Sequence, residues 1–378
     1  MNTGPVQPIP TDDDSRPPDP TSALCLSGGG YRAMVFHIGV LWRLYETGLL
    51  QNIKRISSVS GGSITAGQLA LAWRNLSFRP DSVRSDFIPK FVEPLRAFAG
   101  VTIDAESVIL GALLPGSVGD RIAKAYDDHL FHGKTLQDMP DEPRFVINAT
   151  NVQSGALWRF MKPYMRDYRV GMVKNPRIPL AQAVAASSAF PPVLSPFELR
   201  LRESDFEPGT GLDLQRPPFT TRVVLSDGGV YDNLGLETAW KRHQTVLVSD
   251  AGGKTQEEEE PETDWPRHSY RVLNLIDNQV RSLRKRQVID SFTSGTRKGA
   301  YWGVRTDIAD YQLPDALNCP LDRTTQLAEL PTRLKRLDER TQDRLINWGY
   351  AVCDAALRKH LDARLGPPPV FPYPQSGV

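Results

Sequence analysis

Two strand–glycine–helix units follow one another near the start of the chain, and they limit the folds that the chain can adopt. Residues 23–26 predict a short strand, and three glycines at positions 28–30 follow it as a tight turn. Residues 32–46 carry apolar side chains on nearly every side, which is typical of a helix buried against a sheet. A second strand at 53–59 leads to Gly61-Gly62 and a helix of small residues. This alternation predicts a parallel sheet with helical crossovers.

The rest of the chain fits an α/β fold with three layers, in which a mostly parallel central sheet is flanked by helices. Further strands are predicted at residues 144–149, 222–225, 245–248 and 271–275. Leucines at helical spacing between residues 324 and 361 predict a C-terminal helical extension. An apolar run at 108–114 is interpreted as a core helix, with a lid or an interfacial contact as the alternative.

The predicted organisation has four parts. Residues 1–20 are read as a flexible Pro-rich arm, 21–300 as the α/β domain, 301–365 as the helical extension packed on it, and 366–378 as a Pro-rich tail.

Charge and cysteine content narrow the class of protein. The 378 residues include 45 Lys plus Arg and 44 Asp plus Glu, so the sequence gives no general electrostatic reason to bind nucleic acid. Cys25, Cys319 and Cys353 are odd in number and far apart, which favours a reducing cytosol over a disulfide framework or a metal site. We find no apolar run of transmembrane length and no basic, apolar secretory signal at the N-terminus. We therefore expect a cytoplasmic protein that meets any lipid from the aqueous side, at the periphery of a membrane.

The glycine turn could serve a cofactor, an oxyanion or only the turn itself. Gly28 to Ala33 fits the loose dinucleotide pattern G-x-G-x-x-G/A, but the second strand ends without the carboxylate that a nicotinamide or flavin site needs. No Gly-Lys-Ser/Thr follows, so a Walker loop is excluded too. Glycines bring backbone N–H groups close to a ligand, and the following helix adds a positive N-terminus. Fixed donors of this kind are what an oxyanion hole requires.

Ser60 is the candidate nucleophile. It lies in Ser58-Val59-Ser60-Gly61-Gly62, which is close to G-x-S-x-G with Ser58 in place of the first glycine. A serine at a sharp strand-to-helix turn needs small neighbours, and the segment provides them.

The candidate base is a carboxylate rather than a histidine. None of the six histidines follows a predicted strand: His37 lies in the buried helix, His129 and His132 in an irregular segment, His243 at a helix end, His268 in a loop and His360 near the end of the last helix. Asp227 follows the strand at 222–225 and precedes Gly228-Gly229, and it could accept the serine proton directly. Asp250 has nearly the same context, and the residues alone do not choose between the two carboxylates.

Four segments, in this order along the chain, resemble the patatin-like phospholipases in their bacterial type with a Ser–Asp dyad. They are Gly28-Gly29-Gly30-Tyr31-Arg32, Ser58-Val59-Ser60-Gly61-Gly62, Ala186-Ser187-Ser188-Ala189-Phe190-Pro191-Pro192-Val193 and Asp227-Gly228-Gly229. The resemblance covers roughly residues 22 to 255. Ser58 and Ala33 depart from the family pattern, but both replace one small residue by another.

The resemblance implies specific roles for these residues. Ser60 would be the nucleophile and Asp227 the base, which settles the choice against Asp250. Gly28, Gly29 and Gly30 would bind the oxyanion, with the N–H groups of Gly29 and Gly30 as donors. The supporting residues would be Arg32, Gly62, Gly228 and Gly229, with Arg32 positioning the loop or meeting a lipid phosphate.

The implied activity is acyl-ester hydrolysis of a lipid, of phospholipase A or lysophospholipase type. It implies no metal and no cofactor, a transient contact with a membrane surface and no nucleic acid. An acyltransferase on the same dyad and an inactive lipid-binding scaffold stay open as alternatives.

Overall fold

A computed structural model describes residues 17–103 and 117–378. The predicted apolar helix at 108–114 and most of the predicted N-terminal arm lie outside these ranges.

The described residues contain one central sheet. Its strands, in chain order, are β1 (Asp19–Leu26), β2 (Ile53–Val59), β3 (Arg144–Asn151), β4 (Ala156–Phe160), β5 (Tyr164–Asp167), β6 (Gly171–Lys174), β7 (Phe197–Arg200), β8 (Arg222–Asp227), β9 (His243–Asp250) and β10 (Lys298–Gly303).

The sheet has a parallel half and an antiparallel half. Its order is β10-β9-β1-β2-β3-β4-β5-β6. The five strands from β10 to β3 are parallel, whereas β4, β5 and β6 continue the sheet antiparallel. Strand β8 also pairs with β3, antiparallel to it, and β7 pairs with β8. The carboxyl ends of the five parallel strands therefore share one edge, where ligands bind in open α/β sheets.

The helices connect and cover these strands. In chain order they are α1 (Gly30–Glu46), α2 (Gly61–Ala72), α3 (Glu93–Ala99), α4 (Val118–Tyr126), α5 (Leu180–Ser187), α6 (Gly229–Asp232), α7 (Glu237–Trp240), α8 (Trp265–Thr293), α9 (Leu321–Ala328) and α10 (Glu339–His360). Two segments of wider, π-type winding, Val83–Val92 and Asp127–Phe131, follow α2 and α4.

Alternating residues of β1 separate the two faces of the sheet. Leu24 and Leu26 belong to the larger core, which includes the buried side chains of α1 and α10. Ala23 and Cys25 point into a smaller core with residues of α7, β9 and α8. This is the layered α/β architecture predicted from the sequence, and the prediction is confirmed.

The C-terminal helix, α10, packs closely against the first helix, α1. A Cβ on Gly39 of α1 would overlap the backbone at Ile346, and a Cβ on Gly349 of α10 would overlap the backbone at Phe36. Buried Asp354 of α10 pairs with Arg43 of α1 at 2.7 Å. The predicted C-terminal helical extension therefore exists, as two helices whose second member packs tightly on α1.

Two local predictions are wrong. Residues 271–275 were expected to form a strand but lie inside the 29-residue helix α8. His243 was expected at a helix end but is the first residue of β9. Strand β1 also begins at Asp19, within the predicted arm, while the proposed domain boundaries stay predictions.

In the ranges that the structure describes, we find no helix that is both long and apolar enough to cross a bilayer.

Candidate active site

The turn at Ser60 presents a strained and nearly enclosed serine. Ser60 follows β2 directly and precedes α2, with φ of 51° and ψ of −121°. A positive φ is rare for a non-glycine residue, and such strain is typical of residues whose position matters for function. The side chain makes no capping bond to α2 and is 8% exposed. The hydroxyl is therefore not used to cap α2, and it lies at the positive end of that helix.

The carboxyl ends of strands β2 and β8 meet beside β3, which places Ser60 next to Asp227. Val59, the last residue of β2, pairs with Asn148 of β3. Asp227, the last residue of β8, pairs with the adjacent Ala149 from the opposite direction. The sequence placed Asp227 at a strand end, but it did not reveal that this strand is antiparallel to β3.

The Asp227 carboxylate is buried and only partly compensated. Its Oδ1 accepts a hydrogen bond from the Gly229 N–H at 2.7 Å, and the Ser60 hydroxyl also bonds with it. Asp227 is 2% exposed. Burial is the largest influence on this group and raises the pKa of Asp227 to about 7, against the opposing hydrogen bonds. A carboxylate with this pKa can take a proton from a hydroxyl near neutral pH.

Ser187 joins the turn at Ser60 to the turn at Asp227. Its hydroxyl accepts the Ser60 N–H at 3.0 Å and donates to the Asn148 carbonyl at 2.6 Å. The Ser187 carbonyl in turn accepts the Gly228 N–H at 3.1 Å. The sequence marked this residue only as part of a family-like segment and assigned it no role.

The glycine loop offers two free donors beside Ser60. Gly28 N–H already donates to the Asn233 carbonyl at 3.1 Å. Gly29 and Gly30 line the same cavity as Ser60 and Asp227, and neither N–H has a hydrogen-bond partner among the described residues. The geometry therefore favours Gly29 and Gly30 as the donors and leaves Gly28 a role in shaping the loop.

The supporting glycines allow close backbone approaches around the dyad. A Cβ on Gly62 would lie 2.7 Å from the Ser27 carbonyl oxygen. A Cβ on Gly228 would overlap the Asn148 carbonyl, and one on Gly229 would lie 3.0 Å from Asp227 Oδ1. Ser58, which replaces a family glycine, fits because its hydroxyl donates to the Val146 carbonyl at 3.1 Å.

Arg32 holds the glycine loop to two other segments. Its guanidinium donates to the Ala251 carbonyl at 3.0 Å, to Thr332 Oγ1 at 3.0 Å and to the Leu330 carbonyl. The residue is 3% exposed, and burial lowers the pKa of Arg32 to about 10. These bonds support the positioning role and leave little of the guanidinium to meet a lipid phosphate.

The segment between α9 and α10 forms one wall of the site. The Arg333 carbonyl accepts the Tyr31 N–H at 3.0 Å, and a Cβ on Gly30 would lie 2.6 Å from the same oxygen. Pro331 and Leu334 line the cavity beside Ser60. Nothing in the sequence indicated that this segment reaches the site.

The cavity around the dyad measures about 410 Å³ and has a mixed lining. Phe190, Leu194 and Leu334 supply apolar surface, while Asn274 and Arg281 of α8 supply polar groups. A cavity of this size, with both apolar and polar groups in its lining, is typical of a small-molecule binding site.

Asp250 and the histidines lie apart from the dyad. Asp250 accepts hydrogen bonds from Tyr301 at 2.7 Å and from Gly252 N–H at 2.9 Å, and it does not line the cavity at Ser60. All six histidines are among the described residues, and none lines that cavity either. His37 bonds to Ser249 and Ser27, and burial lowers its pKa to about 4, which marks it as a neutral core residue.

The solved structures to which this chain is similar include two proteins that share little sequence with it. Human GIVD cytosolic phospholipase A2, in complex with methyl gamma-linolenyl fluorophosphonate, is 14% identical with a TM-score of 0.50; the match covers 93% of this chain and 59% of that chain. VipD from Legionella pneumophila is 15% identical with a TM-score of 0.37, covering 91% and 67% of the two chains. This chain thus spans little more than half of the length of the human phospholipase. No curated protein sequence matches the chain.

A family model gives the decisive comparison. The model for patatin-like phospholipases matches residues 24–240, which include the glycine loop, the Ser60 turn and Asp227 and amount to more than half of the chain. The chain therefore belongs to the patatin-like phospholipase family.

Proposed function

We propose that this protein is a serine hydrolase that cleaves acyl esters of lipids, of phospholipase A or lysophospholipase type, through a Ser60–Asp227 dyad. The observation that carries the proposal is the meeting of β2 and β8, which sets a strained serine against a buried carboxylate. Family membership supports the same reading.

The first half of the reaction acylates the enzyme. Asp227 takes the Ser60 hydroxyl proton while Oγ attacks the ester carbonyl, and the carbonyl electrons move onto its oxygen. The N–H groups of Gly29 and Gly30 donate to that oxyanion, and the N-terminus of α2 adds positive potential. When the tetrahedral intermediate collapses, the alcohol part leaves with the proton held by Asp227. The acyl group stays on Ser60 as an ester.

The second half releases the acid. Asp227, again unprotonated, takes a proton from water as the water oxygen attacks the acyl-serine carbonyl. Collapse breaks the bond to Ser60, whose oxygen recovers the proton, and a fatty acid departs. One carboxylate therefore serves as base and acid in both steps, and the reaction needs no histidine.

We place the substrate at a lipid surface because of the exposed face of α8. Only Val288 and Ser291 of this 29-residue helix are buried. Trp265, Ile276 and Leu283 are 80%, 56% and 57% exposed, and their spacing, with Val272, sets them on one face. The opposite face carries Asn274, Asn278 and Arg281, which line the catalytic cavity.

A lipid surface fits this face better than a charged partner does. Apolar side chains of an amphipathic helix bind bilayers by burying their area in the interface. Exposed Arg286 near the end of α8 complements anionic head groups. The exposed acidic run at 257–260 precedes the helix and would be repelled by anionic head groups. We therefore expect the burial of apolar side chains to contribute more to membrane binding than charge does. With three free and buried cysteines, we assign the protein to the cytoplasm, at the periphery of a membrane.

Hydrolysis of 4-nitrophenyl butyrate, together with labelling by a fluorophosphonate probe, tests the dyad. We expect Ser60→Ala and Asp227→Asn to lose at least about 10³-fold in kcat, since each removes a group that acts in the transition state. We also expect the probe to label wild type at Ser60 and not Ser60→Ala. His243→Gln serves as the matched control and should keep its turnover. Near wild-type turnover of either dyad variant would contradict the mechanism.

The products separate the two alternatives from hydrolysis. Mass spectrometry of a mixed lipid extract should show free fatty acid that depends on Ser60. Acyl groups recovered mainly on an added alcohol, in place of free acid, would indicate an acyltransferase. Lipid binding without labelling or product would indicate an inactive scaffold.

A further inference from the structure

A second cavity opens beside the catalytic one, at the carboxyl ends of β9 and β10. It measures about 200 Å³, and Lys254, Asn278 and Arg281 line both cavities. The two cavities are thus neighbours along the same edge of the sheet. Every residue of the second one lies beyond residues 24–240, so the family match does not cover it.

The lining of this second cavity is rich in positive charge. Lys254, Arg281, Lys285 and Arg305 line it, against a single carboxylate, Asp250. Within the described part of the chain, Arg281, Lys285 and Arg305 form no ion pair within 4 Å, and Lys254 meets only exposed Glu257, at 4.0 Å.

Arg281 uses one nitrogen, Nη2, to donate to the Gly253 carbonyl and to Asn278 Oδ1, and no hydrogen bond from its other nitrogens is found among the described residues. The carboxylates of Asp250 and Asp277 offset part of the charge of Arg281, and that of Glu329 offsets part of the charge of Arg305. A bound anion would offset the positive charge that is left.

The one carboxylate is already occupied by neutral donors. Asp250 accepts from the Tyr301 hydroxyl and the Gly252 N–H, and the positive charge of Arg281 helps to keep its pKa low. Asp250 is therefore held in place at the base of the cavity. Its single negative charge does not neutralise all four of the cations that line the cavity. The Lys285 ammonium lies 4.8 Å from the centre of the Tyr301 ring, at the edge of this base.

The environment of Arg305 points to a missing acceptor. Its Nη2 donates to the Ala328 carbonyl at 3.1 Å, but its Nε is buried and has no hydrogen-bond partner among the described residues. An unpaired buried donor costs free energy, so the protein's own acceptors leave this guanidinium incompletely satisfied. Partial burial and the charge of Arg281 lower the pKa of Arg305, although Glu329 and Asp250 oppose this. The charges of Arg281 and Arg305 also lower the pKa of Arg32.

We propose that this second cavity binds a phosphate group, with Lys254, Arg281, Lys285 and Arg305 as its ligands. Arginine forks and lysine ammonium groups are the usual partners of phosphate oxygens. Arg32, the residue first considered for that role, is committed to backbone carbonyls. The phosphate is either the head group of an ester substrate, in which case the inference rests on the proposed function, or a free phosphate that binds beside the site.

A binding experiment tests the site without using catalysis. Isothermal titration with inorganic phosphate should show saturable binding to wild type and to Ser60→Ala. Binding should weaken about tenfold or more in Lys285→Gln and in Arg305→Gln, since each loses one charge-assisted hydrogen bond. Lys298→Gln, at the opposite end of β10, removes an exposed lysine away from the cavity and should bind as wild type does. Thermal unfolding checks that Arg305→Gln is folded, and Lys285→Gln, whose side chain is exposed, serves as the milder variant.

Two short, monomeric esters then distinguish the sources of the phosphate. For a head-group site, Lys285→Gln should lower the ratio of kcat/KM for dihexanoyl-phosphatidylcholine to kcat/KM for dihexanoylglycerol by about tenfold. Weaker phosphate binding with an unchanged ratio identifies a free-phosphate site. If phosphate binds equally to wild type, Lys285→Gln and Arg305→Gln, or does not bind, the inference is overturned. If wild type cleaves neither ester while the binding result holds, the proposed function fails and the phosphate site stands.

Discussion

At the scale of single residues, the chemistry depends on how Asp227 is surrounded. The same carboxylate in water would have a pKa near 4 and would be a poor base for a hydroxyl. Burial raises the pKa of Asp227 to about 7, while the Gly229 N–H and the Ser60 hydroxyl hold the carboxylate in place. The proposed base therefore owes its raised pKa to its position at the junction of β2, β3 and β8.

This pKa predicts the pH dependence of the reaction. Asp227 must be unprotonated to act, so kcat/KM for a neutral ester should fall about tenfold per unit below pH 7 and level off above it. The measurement is a pH–rate profile from pH 5 to 9 with 4-nitrophenyl butyrate, corrected for spontaneous hydrolysis. A profile that stays flat from pH 5 to 8 would show that a different group is the base.

The stability of the dyad variant checks the same pKa independently of catalysis. The folded protein holds the Asp227 proton more tightly than the unfolded chain, so this group's contribution to stability is lost as pH rises from about 4 through about 7. Asp227→Asn has no charge to bury, and it should melt at a higher temperature than wild type at pH 8. This advantage should shrink towards pH 4. Equal melting temperatures at both pH values would contradict the raised pKa.

At the scale of the elements, the sequence predicted the buried helix α1 and missed part of the exposed helix α8. Helix α1 is buried at nearly every position, and the sequence predicted it to within two residues of its observed start. Residues 271–275 were predicted as a strand because a short apolar run looks alike in a strand and a helix. They belong to α8, which rests on the protein through few buried side chains and so lacks the usual core-facing pattern.

The contact between the glycine loop and the segment before α10 predicts the effect of an alanine at Gly30. Gly30 has φ of 60°, and a Cβ there would lie 2.6 Å from the Arg333 carbonyl oxygen. Gly30→Ala should therefore cost more than backbone strain alone, and it should also lower kcat by displacing an oxyanion donor. We expect a loss of several kcal/mol in the free energy of unfolding, since the overlap involves backbone on both sides.

Gly133→Ala is the matched control for that variant. Gly133 has φ of 75°, and nothing lies within 4 Å of a Cβ placed there. It should show the backbone strain by itself, about 1–2 kcal/mol, with unchanged kcat. Denaturant unfolding and esterase kinetics of both variants give the comparison. Equal costs for the two would mean that the segment at Arg333 yields freely and does not form a wall.

At the scale of the whole molecule, distant parts of the chain meet at one edge of the sheet. The glycine loop follows β1, Ser60 follows β2, Asp227 ends β8, and Pro331 and Arg333 arrive from the C-terminal region. Helix α10 clamps onto α1 through Gly39, Gly349 and Asp354, and α1 begins at the glycine loop. The C-terminal extension therefore supports the site as well as packing against the domain.

The exposed face of α8 predicts binding to membranes by the intact protein. Ile276→Ser/Leu283→Ser removes two exposed apolar side chains opposite the cavity face. It should weaken binding to phosphatidylcholine vesicles about tenfold or more, because each side chain otherwise buries apolar area in the interface. Vesicle co-sedimentation measures this, and hydrolysis of monomeric 4-nitrophenyl butyrate should be unchanged.

Ile289→Ser/Val370→Ser provides a control for general surface hydrophobicity. Both residues are exposed, at 39% and 55%, and neither belongs to the face defined by Trp265, Val272, Ile276 and Leu283. This variant should sediment as wild type does. If it loses as much binding as the α8 variant, or if the α8 variant keeps its binding, the face is not the membrane contact.

The sequence by itself determined the fold class and predicted Ser60 and Asp227 as the candidate reacting residues. Strands that end in glycine-rich turns are local patterns, and local sterics require small residues beside a serine or aspartate in a sharp turn. The tertiary structure alone decided how those turns meet. It paired β8 antiparallel with β3 and made Ser187 the link between the turns. It also gave the Gly28 N–H and the Arg32 guanidinium backbone acceptors within the protein, and it brought Arg333 to the glycine loop. These relations, like the pKa of Asp227, depend on burial and on contacts between residues far apart in the chain, which no local pattern records.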